Sequence, residues 1–208
     1  MAMEGTHIRF ALDLRDKLQP KDLTPYIAGS VYPDSRYVSG IDRWSTHPKD
    51  YRDDPFFMSS DFRKGWFAHL LCDDVQYTLM SEQLPQVCVG IDGQGSETWV
   101  KRTAIKVLQD IEDVCQFDLS AHLPALSHIE CPNGEPEQTM RDYHALIKKT
   151  YKHTPDISIE DSLIVWAGFN IGDELLQVIR EKAQEYANDA ATMMTVKKLY
   201  EYIRAEAI

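Results

Sequence analysis

Apolar residues recur every three or four positions over most of the chain, the spacing that predicts amphipathic α-helices. The clearest stripe lies near the C-terminus and comprises Met193, Val196, Leu199, Tyr200 and Ile203. Strand-like alternation of apolar and polar residues is nearly absent. The pattern therefore predicts an all-α fold, a single-domain multi-helix bundle of about seven or eight helices.

Capping residues, prolines and glycines divide this pattern into segments. They predict helices over residues 7–18, 23–30, 61–84, 97–115, 137–151, 158–170, 173–188 and 192–207. Thr6 is the predicted cap of the first helix, and Ser158 with Asp161 resembles a capping box. Residues 37–60 are polar, charged and interrupted by glycine and proline, so we expect a loop there with one helical turn.

The 208 residues, 43% of them hydrophobic, suffice for one sizeable core. We expect one helical domain over residues 1–208, with a metal-site part at about 6–84 and supporting helices at about 96–207. No window approaches 18 uncharged apolar residues, and the N-terminal residues lack the apolar run of a signal sequence. We therefore expect a cytoplasmic protein without a membrane partner.

The chain is acidic, with 33 Asp and Glu against 22 Lys and Arg and a net charge of −11. This balance argues against a nucleic-acid duplex as partner and suits a site of carboxylates that hold cations. The four cysteines include no CxxC pair, which excludes a zinc-finger pattern.

The first candidate for chemistry is the pair His69 and Asp73. Because the two residues are four positions apart, they share one face of the helix predicted over 61–84. Trp66, Phe67 and Leu70 place them among apolar residues. A buried imidazole and carboxylate need partners, and both are ligands for zinc and similar ions. A hydrogen bond within the pair is the alternative explanation.

Three further candidate ligands precede this pair. His7 lies in the first turn of the first helix, Asp34 in a turn after the second, and His47 in the long loop. Each has an ordinary explanation by itself. His7 would then be a surface residue, Asp34 a helix cap, and His47 a solvated loop residue.

The order of these residues resembles the metal-binding order of the zinc-dependent phospholipase C and S1/P1-nuclease-like family, whose members are all-α. The resemblance covers about residues 6–74 and is carried by Thr6-His7, Gly29-Ser30-Val31-Tyr32-Pro33-Asp34, Thr46-His47 and His69-Leu70-Leu71-Cys72-Asp73. The His-x-x-x-Glu pair that supplies further ligands in that family does not occur here. The HD-domain phosphohydrolases are a weaker match, because their consecutive His-Asp dipeptide is absent.

The resemblance implies that Asp34, His47, His69 and Asp73 hold a first metal ion. Asp73 would bridge to a second ion, which His7 also binds. Without the additional family ligands, one or two divalent ions are expected rather than three. Zinc is the expected metal, with manganese, iron or nickel as alternatives. Metal-activated water would then attack the phosphorus of a bound phosphoester.

The implied activity is that of a metal-dependent phosphohydrolase with a small phosphorylated substrate. Arg36 and Lys64 are the basic residues expected to neutralise the phosphate, and with Asp73 they form the predicted catalytic set. The alternative is a non-catalytic helical scaffold or regulatory protein whose metal site is structural or lost. The apolar stripes of the C-terminal helices also leave a homodimer open.

Overall fold

The computed structural model describes residues 3–91, 93–169 and 171–207. Within these ranges the protein forms α-helices and 3-10 turns and no β-strand, so the predicted all-α class is confirmed. The ten α-helices of the described ranges are α1 (Glu4–Leu18), α2 (Leu23–Val31), α3 (Arg36–Ser39), α4 (Arg43–Thr46), α5 (Asp61–Gln83), α6 (Glu97–Cys115), α7 (Glu137–Thr150), α8 (Ile159–Gly168), α9 (Asp173–Ala187) and α10 (Ala190–Ala207).

The predicted number of seven or eight helices is wrong. The additional helices are α3 and α4, each four residues long, within the segment predicted to be a loop. Long-range contacts organise this segment: the Tyr51 hydroxyl donates to Asp74 at 2.6 Å, and Trp66 Nε1 donates to the Thr46 carbonyl at 2.7 Å. Such contacts leave no local sequence signal. The predicted end of α8, at Asn170, lies outside the described residues.

Two helix starts show when a cap can be predicted. Ser158 and Asp161 form the expected capping box at the start of α8. Thr6 does not cap α1, which begins at Glu4 rather than His7. The backbone N–H of Gly5 donates to the Tyr151 hydroxyl, and that of Thr6 donates to Asp110, so distant residues supply the cap.

Helices α5 and α6 lie at the centre of the bundle. α5 packs against α1, α2 and α10, and α6 packs against α1, α8, α9 and α10. The buried apolar side chains, from Met3 to Ile203, form one cluster. None of the helices in the described ranges combines the length and the apolar composition needed to cross a membrane.

Helices α2 and α5 approach closely at two glycines. A Cβ at Gly65 would lie 1.9 Å from the Tyr26 carbonyl oxygen, and a Cβ at Gly29 would lie 1.9 Å from the Phe62 carbonyl oxygen. Because only glycine permits this separation, the pair fixes the distance between the helices. The contact brings the end of α2 against α5 one turn before His69.

Candidate metal centre

The five predicted metal ligands come from four parts of the fold. They are His7 on α1, Asp34 in the 3-10 turn Tyr32–Ser35, His47 directly after α4, and His69 and Asp73 on α5. All five are buried, and none is more than 8% exposed. His7 is therefore not a surface residue, and His47 is not a solvated loop residue.

The three imidazoles direct Nε2 toward the two carboxylates. His7 Nε2 lies 3.4 Å from Asp73 Oδ1, while His47 Nε2 and His69 Nε2 lie 3.5 and 3.6 Å from Asp73 Oδ2. The distances from the same three nitrogens to the nearest Asp34 oxygen are 4.0, 3.9 and 4.0 Å. The structure thus brings all five residues to one point.

These separations are too long for hydrogen bonds, which normally span about 2.7–3.2 Å between nitrogen and oxygen. They suit atoms that surround a common ion: with metal–ligand bonds of about 2.0–2.2 Å, tetrahedral ligand atoms lie roughly 3.4 Å apart. Two overlapping triads, His7–Asp34–His69 and His47–His69–Asp73, each place their ligand atoms within 4.8 Å of one another. The donor set, imidazole nitrogen with carboxylate oxygen, is one that zinc accepts.

Several of these atoms lack a hydrogen bond although they are buried. Within the described part of the chain, Nε2 of His7, His47 and His69 and Oδ1 of Asp34 have no hydrogen-bond partner. Buried polar atoms are usually paired, so each exception needs an explanation. An ion bound between them would satisfy all four atoms at once.

The outer nitrogens of two imidazoles are held in place. His69 Nδ1 lies 2.8 Å from the Ser30 carbonyl oxygen, which can only accept, so Nδ1 carries the proton. His47 Nδ1 lies 2.9 Å from Thr46 Oγ1, which itself donates to the Arg43 carbonyl. In the neutral rings, both Nε2 lone pairs therefore face the carboxylates, the arrangement seen for metal-bound histidines.

Electrostatics also favour a cation at this point. Burial lowers the pKa of His7 well below its ordinary value, and the neighbouring His69 lowers it further. Burial by itself would lower the pKa of His69, but Asp73 and Asp34 raise it above the ordinary value. Burial likewise opposes ionisation of Asp73, yet His69 and His47 help hold its pKa well below normal. The Asp73 carboxylate thus stays charged and attracts positive charge.

A polar network anchors the start of α1, which carries His7. Asp110 on α6 accepts from the Thr6 backbone N–H at 2.7 Å and from the Tyr151 hydroxyl at 2.8 Å. Thr6 Oγ1 also contacts Asp110, at 3.0 Å, and Asp113, at 2.8 Å. Sequence reasoning missed these positioning residues, because they lie about a hundred residues from α1 and match no motif.

Of the two basic residues predicted to bind phosphate, Arg36 lies beside the candidate metal centre and Lys64 does not. The Arg36 guanidinium lies over the Tyr37 ring, 3.9 Å from its centroid, and lines a cavity beside the centre. Lys64 is not brought to the cluster. Its ammonium group donates to the Gln19 carbonyl at 3.0 Å and lies 3.7 Å from Asp61. Lys64 and His69 are five positions apart on α5, so they point in different directions around the helix.

The centre opens toward the surface through one side. His47 and Asp73 line a cavity of about 260 Å³, whose walls also include Arg43 and Tyr77. His7 and His69 are fully buried behind them. A small molecule in this cavity would therefore meet the cluster at His47 and Asp73.

Comparison with protein-family models, curated proteins and solved structures finds no match for this chain. The resemblance to the zinc-dependent phospholipase C and S1/P1-nuclease-like family therefore stays a prediction from the residues.

Proposed function

We propose that the protein binds one or two divalent metal ions, with zinc the first candidate, between His7, Asp34, His47, His69 and Asp73. The observation that carries this proposal is the convergence on two carboxylates of three buried Nε2 atoms that have no hydrogen-bond partner among the described residues. Asp73 turns Oδ1 toward His7 and Oδ2 toward His47 and His69, which suits a bridging carboxylate.

We further propose that the protein hydrolyses a small phosphoester at this centre. A bound divalent ion supplies Lewis acidity and a water of lowered pKa, the two requirements for attack on phosphorus. The side chains would have separate tasks. His7 and His69, which are fully buried, would hold the ion, and His47 and Asp73 border the cavity through which a substrate would enter. Arg36, in the adjoining cavity, would bind phosphate oxygens.

An accessible centre supports catalysis over a purely structural metal, because structural zinc sites are closed by their protein ligands. The alternative, a non-catalytic scaffold or regulatory protein, predicts a metal that stabilises the fold without any hydrolysis. The experiment must therefore measure metal and activity on the same variants.

His69→Ala and His144→Ala form a matched pair of substitutions. Both imidazoles are buried, and each Nδ1 bonds a backbone carbonyl, that of Ser30 at 2.8 Å and that of Leu126 at 3.0 Å. Among the described residues, neither Nε2 has a hydrogen-bond partner. The two substitutions should disturb the core similarly, but only His69 belongs to the cluster.

Protein purified without chelator or metal-affinity tag would be analysed for bound metal and assayed with p-nitrophenyl phosphate and bis(p-nitrophenyl) phosphate. We expect the metal and the hydrolysis to be lost together in His69→Ala and retained in His144→Ala. Circular dichroism checks that both variants are folded. Equal metal content in the two variants would contradict the site, and metal without hydrolysis in the parent protein would favour the scaffold alternative.

A further inference from the structure

A second cavity beside the metal centre is strongly cationic. It has a volume of about 340 Å³, and its walls include Arg36, Arg43, Arg102 and Lys106. Four of the nine described residues that line it are basic, although the chain as a whole has more acidic than basic residues. A cavity with this lining suits an anion.

Aromatic rings hold two of these cations in fixed directions. The Arg102 guanidinium lies 4.1 Å from the centroid of the Tyr77 ring, and Arg102 is only 6% exposed. The Arg36 guanidinium lies against Tyr37 in the same way. Groups that are ordered before a ligand arrives lose little entropy on binding, so this pocket is preorganised.

The cationic pocket adjoins the metal centre. Arg43 and Tyr77 line both this pocket and the cavity that His47 and Asp73 border. One ligand could therefore reach the metal centre and the cationic pocket at the same time.

The charges point to a ligand with more than one phosphate. One divalent ion would only balance the carboxylates Asp34 and Asp73, so positive charge for a further phosphate must come from a second ion or from groups around the centre. Arg36, Arg43, Arg102 and Lys106 are basic groups in the adjoining cavity. Arginine forks match phosphate oxygens in geometry as well as in charge.

We propose that the cationic pocket formed by Arg36, Arg43, Arg102 and Lys106 binds a second phosphate group of the substrate. The substrate class is then a small molecule with two phosphate groups, one at the metal centre and one in the pocket. The assignment of the first phosphate rests on the proposed function. The pocket itself is an anion site that does not depend on the metal.

The test measures binding of inorganic pyrophosphate and inorganic phosphate by titration calorimetry, with chelator-treated and with zinc-loaded protein. The variants are Arg43→Gln, at an exposed position, and Lys106→Met. The control is Arg63→Gln, whose guanidinium also lies on an aromatic ring, Phe56 at 3.8 Å, but outside both cavities. Metal content is determined for every protein.

We expect each pocket variant to weaken pyrophosphate binding about 10- to 100-fold, the usual loss for one hydrogen bond to a charged group, in both forms of the protein. The control should bind like the parent protein, and zinc-loaded protein should prefer pyrophosphate to phosphate. Unchanged pyrophosphate affinity in Arg43→Gln and Lys106→Met would overturn the proposal. Pocket-dependent binding in proteins that hold no metal and hydrolyse nothing would overturn the proposed function and leave the anion site standing.

Discussion

The glycine contact between α2 and α5 gives the sharpest structural prediction. In Gly65→Ala the new Cβ would lie 1.9 Å from the Tyr26 carbonyl oxygen, whereas ordinary contact begins at 3.4 Å. The helices must therefore separate by about the difference, 1.5 Å, since the obstacle is backbone. His69 lies one turn further along α5, and its bond to the Ser30 carbonyl, now 2.8 Å long, spans the same interface.

Two effects on stability oppose each other in this variant. Overpacking reduces the free energy of unfolding by about 1–3 kcal/mol, and a clash with backbone atoms falls at or above the upper end of this range. Replacing glycine by alanine within a helix raises the free energy of unfolding by about 1 kcal/mol. We therefore expect a net loss of about 2 kcal/mol, which lowers the Tm by about 4–8 °C in a protein of this size. Loss of the Ser30 contact should also weaken metal binding about 10- to 100-fold.

Thermal unfolding of chelator-treated protein and competition for zinc with a chromophoric chelator measure the two effects. Gly29→Ala, at the reciprocal contact with Phe62, should likewise lower the Tm and weaken zinc binding. Gly93→Ala is the control, because among the described residues no atom beyond its chain neighbours lies within 4 Å of its Cβ position. A Gly65→Ala protein with a raised Tm and unchanged zinc affinity would refute the close approach of α2 and α5.

Three further outcomes are expected. Burial lowers the pKa of His144 to about 4, so as the pH falls below 6.5 the unfolded chain takes up a proton at this imidazole before the folded protein does. The free energy of unfolding should therefore fall by about 3 kcal/mol by pH 4. In His144→Gln, denaturant titrations should show a smaller dependence of the unfolding free energy on pH over this range. Asp110→Asn should reduce the unfolding free energy by about 1–3 kcal/mol and weaken zinc binding, because the anchor of α1 near His7 is lost. Chelation should lower the Tm of the parent protein, since metal at about 1,000 times its Kd contributes about 4 kcal/mol, but should not affect His69→Ala.

Local signals explain which parts of the fold the sequence could predict. Ser96 caps α6 and Ser158 caps α8 within a few residues of their own helices, and these starts were predicted correctly. The helices α3 and α4 have no such signal, and contacts such as that between Trp66 and Thr46 hold this segment. Tertiary contacts decide the structure there, and a loop prediction fails.

The candidate site divides in the same way. The candidate ligands could be proposed from the sequence, since His69 and Asp73 share a helix face and the other three residues follow an order that resembles that of a metal-binding family. The residues that position these side chains could not be predicted from the sequence, because Asp110 contacts Thr6 across 104 positions and Gly65 packs against Tyr26 across a helix interface. Lys64 shows that proximity along the chain does not place a side chain in the site. It is five positions from His69, but its ammonium group donates to the Gln19 carbonyl.

Two buried acidic clusters in this protein differ in how their polar atoms are satisfied. At Asp110, both carboxylate oxygens accept hydrogen bonds from Thr6 and Tyr151, as expected for buried groups that stabilise the fold. At the ligand cluster, Asp34 Oδ1 and the facing Nε2 atoms make none among the described residues. A cluster left in this state would cost stability, because buried unpaired polar groups lose their hydration without compensation. Among the described residues, the fold satisfies the cluster at Asp110 internally, whereas the other cluster has polar atoms that the proposed ion would pair.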